Sequence, residues 1–537
     1  MAKQKVVILG GGLSALSAGV HLLQEGGGDH FEVTLLCMEH RLGGKASSWR
    51  LPDGRYMEIG FHGVFGYYNA LQTLLARAGH PVTDPRWFSN NEGVHLMYEA
   101  GARAVNRLDI PQGPLDVGAL FHNGFVGYQG MSFKEKLEAG RWFATTGVRL
   151  LTQKFEPELD EHSFTAYAVA TGLDIELTKK SWFRYVLELA FNYPAPGSAY
   201  VGMIGFSHLM SPANSTVYYL NGGLSEVIVA PIAQLFVSLG GKLQFCTKVT
   251  RVELDPGTHR IEKVVTQPTA TPVPIAGFVD HVYVTATGGS YSLGDDPYPV
   301  GDPASAAGAP ERVLQHGADF DQVVWTLPVR SSRALLRTTP GFERAVLEEP
   351  QLRRIWALRS VASISLRMWL PEKVMPSDFT TVVMGTPEPA PTIIDYTNRV
   401  SELETSSWGS VVEFEGEEGL HGDLTDTEIV RELLSGFVEL PFVEKSKVDI
   451  DAVVNQTGGC HHEFRRNTAN HLRYLLMEPG HWKFRPEQDK SPYENLVFAG
   501  DWMAGTQPTA SMEAAVRTGR VAADLLRPRV GLPAAVE

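Results

Sequence analysis

Three small residues near the N-terminus have the spacing of a phosphate-binding turn. Gly10, Gly12 and Ala15 follow the apolar run VVIL and open a segment whose apolar residues recur with helical periodicity. The first glycine permits a tight turn, the second lets the backbone approach a pyrophosphate, and Ala15 lets the helix pack closely on the strand. The free N–H groups of the helix then face the phosphates. We predict a dinucleotide site that includes Gly10, Gly12, Leu13, Ser14 and Ala15, with a ligand-free glycine turn as the alternative.

The second predicted strand, FEVTLLCM, ends where an acidic side chain normally holds the ribose of a dinucleotide. Cys37 occupies the strand end, and the nearest acid, Glu39, lies 24 residues beyond Ala15, close to the usual spacing of about 20. We predict that Glu39 contacts the ribose. The alternatives are a weak hydrogen bond from Cys37 to the ribose, or a Cys37 that is only a small buried residue.

A basic turn, RLGGK, follows directly. Arg41 and Lys45 flank Gly43 and Gly44, so the backbone could approach a pyrophosphate while two cations neutralise it. We add these four residues to the predicted site, and a solvated basic turn is the structural alternative.

A second group of potential ligands, Cys460, His461 and His462, invites a metal interpretation. Adjacent histidines point in different directions, and the sequence offers no further ligand at a suitable spacing. We therefore predict structural or surface histidines and no metal site.

The composition is that of a soluble globular protein, with 43% hydrophobic and 20% charged residues. A formal net charge of -14 argues against nucleic acid as a partner, because phosphate binding needs a basic surface. It does not exclude contact with a membrane surface through apolar side chains. Three widely spaced cysteines, with no signal peptide or long apolar stretch in the sequence, predict a cytoplasmic protein, with peripheral membrane attachment as an open alternative.

A chain of 537 residues is too long for one core, so we expect two or three interleaved domains. The N-terminal strand, helix and strand are typical of a doubly wound fold, and SEVIVAPIAQLFVSLGGKLQF returns to that pattern later. The predicted segments are a nucleotide-binding domain in three pieces (1–95, 216–265 and 476–527), a mainly helical insert facing substrate or membrane (96–215), a loop-rich insertion (266–318), a substrate-domain sheet with helices (319–475) and a tail (528–537).

The insert contains an amphipathic segment, MSFKEKLEAGRWFATTGVRLL. Its apolar residues are Phe133, Leu137, Trp142, Phe143 and Val148. The pattern predicts a helix that lies on a membrane or lines a substrate channel, or one that packs in the core of the insert.

Four stretches together resemble the flavin amine oxidase and carotenoid desaturase superfamily, and within it the phytoene and zeta-carotene desaturases of plants and cyanobacteria. They are LGGKASSWRLPDGRYMEIGFHGVFGYYNALQTLLARAG, YYLNGGLSEVIVAPIAQLFVSLGGKLQFCTKVTRVELD, DQVVWTLPV and PGHWKFRPEQDKSPYENLVFAGDWMAGTQPTASMEAAVRTGRVAADLL. The resemblance implies an α/β protein whose Rossmann-like FAD-binding domain, of the GR2 type, is interleaved with an α+β substrate domain. The chain departs from the family at Cys37 and Glu39, where the family has a glutamate and an arginine.

The resemblance also implies further contacts to FAD. The E-x-G-x-H-x-x-F-G core would place three residues at the flavin, Val249 would meet the adenine, and Gly500 with Asp501 would meet the diphosphate and ribitol. The three core residues are Gly60, Phe61 and His62. Ser511, Met512 and Glu513 would start a helix whose N–H groups face the pyrimidine edge of the flavin, where a reduced flavin gains negative charge. His62 is the one named candidate for a contact to flavin or substrate, with a structural histidine as the alternative.

The implied reaction is desaturation of a long apolar or polyene substrate by hydride transfer to flavin N5, with a quinone or oxygen as electron acceptor. The alternatives are an amine or amino-acid oxidase, a flavin-dependent isomerase or saturase of polyenes, terpenoids or fatty acids, and a protein that keeps FAD as structure and carries an apolar ligand. The sequence does not specify the substrate or the oligomeric state.

Overall fold

The computed structural model describes residues 2–39, 41–50, 55–60, 62–89, 93–99, 104–108, 128–152, 157–180, 183, 197–209, 217–255, 257–269, 275–279, 282–285, 290–292, 310–375, 380–384, 392–396, 408–505 and 510–535. The strands in chain order are β1 Gln4–Leu9, β2 Phe31–Leu36, β3 Ser48–Arg50, β4 Tyr56–Glu58, β5 Val64–Phe65, β6 Phe88–Ser89, β7 Gly93–Glu99, β8 Ala104–Leu108, β9 Val217–Leu220, β10 Lys242–Gln244, β11 Thr247–Asp255, β12 Arg260–Pro268, β13 Ile275–Val279, β14 Val282–Thr285, β15 Ser290–Ser292, β16 Arg312–Gln315, β17 Gln322–Trp325, β18 Ser360–Val361, β19 Ser363–Leu370, β20 Thr380–Met384, β21 Thr392–Asp395, β22 Ser410–Glu417, β23 His461–Arg466, β24 Tyr474–Leu475 and β25 Leu496–Phe498. The α-helices are α1 Leu13–Leu23, α2 Asn69–Arg77, α3 Phe133–Thr152, α4 Phe164–Ala170, α5 Ala199–Leu209, α6 Ala230–Ser238, α7 Val329–Arg337, α8 Phe342–Glu348, α9 Pro350–Ala357, α10 Asp426–Val438, α11 Ile450–Val454 and α12 Met512–Leu526.

The first layer is a five-stranded parallel sheet in the order β10-β2-β1-β17-β25. Its central strand, β1, pairs Val6 with Val33 on one side and with Gln322 on the other. Near-continuous apolar runs such as VVIL are expected where helices cover both faces of a parallel sheet. Helices α1 and α12 pack against each other beside it, and α6 packs on α1. This sheet is built from three distant segments of the chain, as the sequence predicts for a doubly wound fold.

The second layer is a seven-stranded, mainly antiparallel sheet in the order β23-β19-β22-β21-β20-β7-β8. Its central strands β19 and β22 are buried along most of their length, and the apolar face of α10 packs beside them. Helix α10 starts at a capping box in which Thr425 and Glu428 each satisfy a backbone N–H of the other. The sequence-based prediction of a capped helix at this position is confirmed.

Two predicted segment boundaries differ from the observed sheets. The boundary at residue 95 falls inside β7, which pairs with β20 and β8, so the insert 96–215 contributes strands to the second sheet. The pairing partners lie almost 300 residues apart in the chain, which local patterning does not register. Within the predicted loop-rich insertion 266–318, the described residues form a hairpin sheet, β13-β14-β15, and the strand β16, which pairs with β12.

The insert is held to the C-terminal part of the first layer by a buried carboxylate. Asp160 accepts hydrogen bonds from Ser198 Oγ at 2.5 Å and from the Trp482 backbone N–H at 2.6 Å. His481 Nδ1 lies 2.9 Å from Asp160 Oδ1. Burial would raise the pKa of Asp160, but the hydrogen bonds and the histidine outweigh it and hold the pKa below its ordinary value. The helices of the insert are therefore fixed relative to the sheet that follows them.

Candidate functional site

A cavity of about 710 Å³ opens at the carboxyl ends of the parallel strands. Residues that directly follow β1, β2, β17 and β25 line it. Ligands of open parallel sheets bind at this edge, because the strand-to-helix turns and the helix N-termini meet there. The volume is within the range of small-molecule and cofactor sites.

The predicted phosphate cradle lies in this cavity, lined by Gly10, Gly12, Leu13 and Ser14. Gly10 has φ +124°, and a Cβ there would lie 2.5 Å from Thr326 Oγ1, so the turn requires glycine. Ala15 is fully buried in α1 and does not line the cavity, as expected for a residue that only lets the helix approach the sheet.

The atoms of the cradle fit a phosphate ligand. No side chain caps the N-terminus of α1, where Gly12 is the N-cap residue. The Ser14 hydroxyl is buried at the same turn and has no hydrogen-bond partner among the described residues. A ligand that brings phosphate oxygens would satisfy both the helix N–H groups and this hydroxyl.

The basic turn lies against the cradle. Gly12 and Gly43 form a β-bridge, and the Gly43 N–H donates a hydrogen bond to the Gly11 carbonyl at 2.8 Å. The turn residues Arg41, Gly43, Gly44 and Lys45 all line the cavity. Lys45 Nζ forms an ion pair with Asp501. The second glycine pair thus joins the first at one wall, with a lysine and an aspartate beside it.

Cys37 lies beneath this wall as a buried thiol. Its Sγ donates to the Arg41 carbonyl at 3.0 Å, and a Cβ on Gly11 would lie 2.5 Å from that sulfur. Burial is the main cause that raises the pKa of Cys37 to about 12, so the thiol stays protonated. These contacts support the interpretation of Cys37 as a small packing residue.

Glu39 lines the cavity, and its Oε1 lies 2.7 Å from His471 Nε2. Asn470, His471 and Leu472 also line the cavity, so the second-layer segment before β24 reaches the end of β2. The sequence gave no signal for His471, because the contact joins positions more than 400 residues apart.

Glu39→Ala is expected to weaken FAD binding by about ten- to a hundredfold, the effect of losing a charge-assisted hydrogen bond. Fluorescence titration of the apoprotein with FAD measures it. Glu32→Ala is the matched control, because Glu32 lies on β2 and pairs with Lys242 instead. Equal affinities of the two variants would remove Glu39 from the site.

Gly60 and His62 line the cavity where the first layer meets the second sheet, and Phe61 lies outside the described residues. His62 Nδ1 lies 2.5 Å from the Gly60 carbonyl and donates its hydrogen to it, which leaves Nε2 with a lone pair. Burial is the main cause that lowers the pKa of His62 to about 4. His62 is therefore neutral near pH 7 and can accept a hydrogen bond.

The remaining predicted residues come from later segments. Val249, Gly500, Asp501, Ser511 and Met512 line the cavity. Ser511 caps α12 by accepting a hydrogen bond from the Ala514 N–H, so the N-terminus of α12 points to this cavity. These placements agree with a helix N-terminus beside the cofactor.

Glu513 does not line the cavity. Its carboxylate accepts the backbone N–H groups of Ala70 and Leu71, at 3.1 and 2.9 Å, and so caps α2. The side chain thereby ties α12 to α2, and only its backbone remains available for the predicted flavin contact.

The structure also places at the cavity a group that sequence reasoning missed. Glu415, on β22, lines it next to Gly60, and a Cβ on Gly60 would lie 2.7 Å from Glu415 Oε1. Behind it, Arg367 donates two hydrogen bonds to Glu413, at 2.6 and 3.1 Å, and lies 3.4 Å from Glu58. The run VVEFEGE carried the signal: glutamates alternate with apolar residues in a strand that is otherwise buried.

The other predicted ligands lie elsewhere. His461 and His462 are on β23, and His462 Nδ1 lies 2.9 Å from the Val453 carbonyl. Cys460 is a buried free thiol just before that strand. Among the described residues, no group of three histidine, cysteine or acidic side chains is arranged to hold a metal ion.

The fold and the cavity together define a flavoprotein of the dinucleotide-binding class. The family model for flavin containing amine oxidoreductases matches residues 13–312 and 310–527. The chain belongs to this family, which confirms the resemblance noted in the sequence, the α/β fold class, FAD as the cofactor and the oxidoreductase class.

Relatives and solved structures agree with this placement. The chain is 26% identical over 262 residues to the 15-cis-phytoene desaturase of Arabidopsis thaliana, covering 47% of this chain and 44% of that protein. It is 23% identical to the carotenoid phi-ring synthase of Chlorobaculum tepidum, covering 98% of this chain and 89% of that protein. The cyclohexylamine oxidase of Brevibacterium oxydans has a similar fold, with a TM-score of 0.59, 15% identity and coverage of 97% and 98% of the two chains. The chain thus spans less than half the length of the phytoene desaturases that it matches.

Proposed function

We propose that the protein desaturates a long apolar polyene of the carotenoid class. The observation that carries this proposal is the similarity over nearly the whole chain to a carotenoid phi-ring synthase, together with the shorter similarity to phytoene desaturases. An FAD bound in the cavity supplies a hydride acceptor. The protein's own residues hold this cofactor, orient the substrate and exclude water.

The division of the cavity supports the proposal. The glycine cradle, the basic turn and the N-termini of α1 and α12 offer N–H groups and cations to the cofactor. The wall beyond Gly60 is mostly apolar, with Ile59, Ile364 and Leu472 lining it. An apolar chain would be desolvated there without leaving many polar groups unpaired.

Incubating the FAD-loaded protein with carotenoids in liposomes tests the proposal. The panel holds 15-cis-phytoene, zeta-carotene and ring-bearing β-carotene, each with a quinone or with oxygen as acceptor. We expect at least one product with a longer conjugated system, identified by chromatography and its absorption spectrum. Unchanged carotenoids, with a flavin that primary amines reduce, would instead establish an amine oxidase.

We also propose that α3 contacts the membrane that holds such a substrate. Phe133, Leu137 and Val148 are 81%, 57% and 60% exposed, and their spacing places them on one stripe of the helix. Trp142 faces the other way and packs on Phe164 and Phe183. The helix therefore serves both earlier interpretations, with one face in the core and one apolar stripe outside. Among the described residues, no helix has the length and apolar character needed to cross a bilayer.

Replacing Phe133 and Leu137 together with serine is expected to reduce co-flotation with phospholipid vesicles about tenfold, because two apolar side chains no longer enter the interface. Leu347→Ser, at a position on α8 that is 72% exposed, is the matched control. Equal flotation of both variants and the wild type would contradict the assignment.

A further inference from the structure

The carboxyl group of Glu415 is the one chemically reactive feature of the cavity that the cofactor-binding residues leave without a role. Its Oε1 is buried and has no hydrogen-bond partner among the described residues. Gly60 lies directly beneath it, and a side chain at that position would collide with the carboxylate. The carboxyl group therefore occupies the junction between the cofactor-binding cradle and the apolar wall.

The charges around Glu415 come from four elements. They are Glu413 on the same strand, Arg367 on β19, Glu58 on β4, Tyr396 after β21 and Tyr474 on β24. Arg367 gives two of its hydrogen bonds to Glu413, so one guanidinium serves three carboxylates. Burial, followed by the charges of Glu413 and Glu58, raises the pKa of Glu415 well above its ordinary value. A carboxylate with a raised pKa is a stronger base, which suits a proton acceptor.

We propose that Glu415 accepts the proton that the substrate loses during desaturation, an inference that rests on the proposed function. Two neighbouring carbon atoms each lose a hydrogen while the double bond forms between them. From one carbon, the hydrogen leaves with both bonding electrons to the flavin, which is the oxidant. From the other, a proton leaves to a lone pair of the Glu415 carboxylate, and the electrons of that C–H bond become the new π bond. Glu415 then returns its proton to the solvent or to the reduced electron acceptor.

His62 is less suited to this step, although it lies on the same wall. Its Nδ1 is committed to the Gly60 carbonyl, and its lowered pKa makes Nε2 a weak base. A neutral histidine here orients the Gly60 segment that supports the carboxylate, and the proton transfer falls to Glu415.

The first test detects the proton itself and needs no turnover. Infrared difference spectra of the FAD-loaded protein across a pH series should show the carbonyl stretch of a protonated carboxylic acid at neutral pH. That band should be lost in Glu415→Gln and kept in Glu463→Gln, a control on β23 outside the cavity lining. A band that persists in Glu415→Gln would assign the proton to another group and overturn the proposal.

The second test follows anaerobic reduction of the bound flavin by carotenoids in liposomes. Glu415→Gln should bind FAD normally but lower the reduction rate by about a hundredfold or more. In the wild type the rate should rise with pH as the carboxylate forms, and the variant should lose this rise. Wild-type rates and pH dependence in Glu415→Gln would refute the role of Glu415. A wild-type flavin that no carotenoid reduces would instead refute the proposed function, and the inference with it.

Discussion

Replacing Arg367 with methionine should destabilise the protein by about 3–5 kcal/mol, the usual result of removing one partner from a buried ion pair. Arg367 and Glu413 are 2% and 0% exposed, and their two hydrogen bonds measure 3.1 and 2.6 Å. Without the guanidinium, Glu413, Glu415 and Glu58 would be buried beside each other with no cation to offset their repulsion. Chemical denaturation of the holoprotein measures the loss.

Two comparisons separate the charge effect from a packing effect. Arg354→Met removes a half-exposed pair with Glu487 at 2.8 Å and should cost less than about 1 kcal/mol. Adding Glu413→Gln to Arg367→Met should recover part of the loss, because one of the unpaired charges disappears. An Arg367→Met variant no less stable than Arg354→Met would contradict the ion-pair explanation.

The same cluster sets a direction for the pH dependence of stability. The folded pKa of Glu415 is raised, so its favourable contribution is complete below the unfolded pKa of about 4.3 and is lost as the pH rises through the folded pKa. Removing Arg367 should steepen this loss on the alkaline side. A variant that instead gained stability with rising pH would contradict the assignment.

Gly519→Ala should lower stability by about 1–3 kcal/mol and weaken FAD binding by about ten- to a hundredfold. A Cβ on Gly519 would lie 2.3 Å from the Ser14 carbonyl oxygen, 2.8 Å from Ser17 Cβ and 3.0 Å from the Ala18 nitrogen. The backbone of α1 would have to move away from α12, and Ser14 belongs to the turn that lines the cavity. Denaturation and FAD titration should change together.

Gly436→Ala is the matched control, because it is also a helical glycine and nothing lies within 4 Å of its added Cβ. It should stabilise α10 by up to about 1 kcal/mol through helix propensity and leave FAD affinity unchanged. If both variants gained stability, the close contact between α1 and α12 would not limit the fold.

Local patterns predicted the parts of the protein in which neighbouring residues perform the chemistry. The Gly10–Ala15 turn, the RLGGK turn and the start of α12 each combine a strand or loop end with small residues, and the spacing alone identifies them. The capping box of α10 is likewise contained in four consecutive residues. These features depend on backbone conformation, which a short sequence window largely determines.

What sequence reasoning did not reach depends on distant pairing. Glu415 becomes reactive only because β19 and β4 bring Arg367 and Glu58 to it, and β7 joins a sheet whose other strands lie far along the chain. The contact of Glu39 with His471 and the use of the Glu513 carboxylate as a cap on α2 have the same origin. In each case the side chain has several plausible partners in sequence, and only the tertiary fold selects one.

The three-part construction of the parallel sheet has a consequence for biosynthesis. A nascent chain exposes β1 and α1 early, but β25 and α12, which complete the sheet and the cavity, emerge almost 500 residues later. At roughly 5–20 residues per second, the N-terminal turn waits on the order of tens of seconds for these partners. FAD therefore cannot be captured by the growing chain in its final site, and loading follows release. Chaperone supply and free flavin at that moment should govern the yield of active protein.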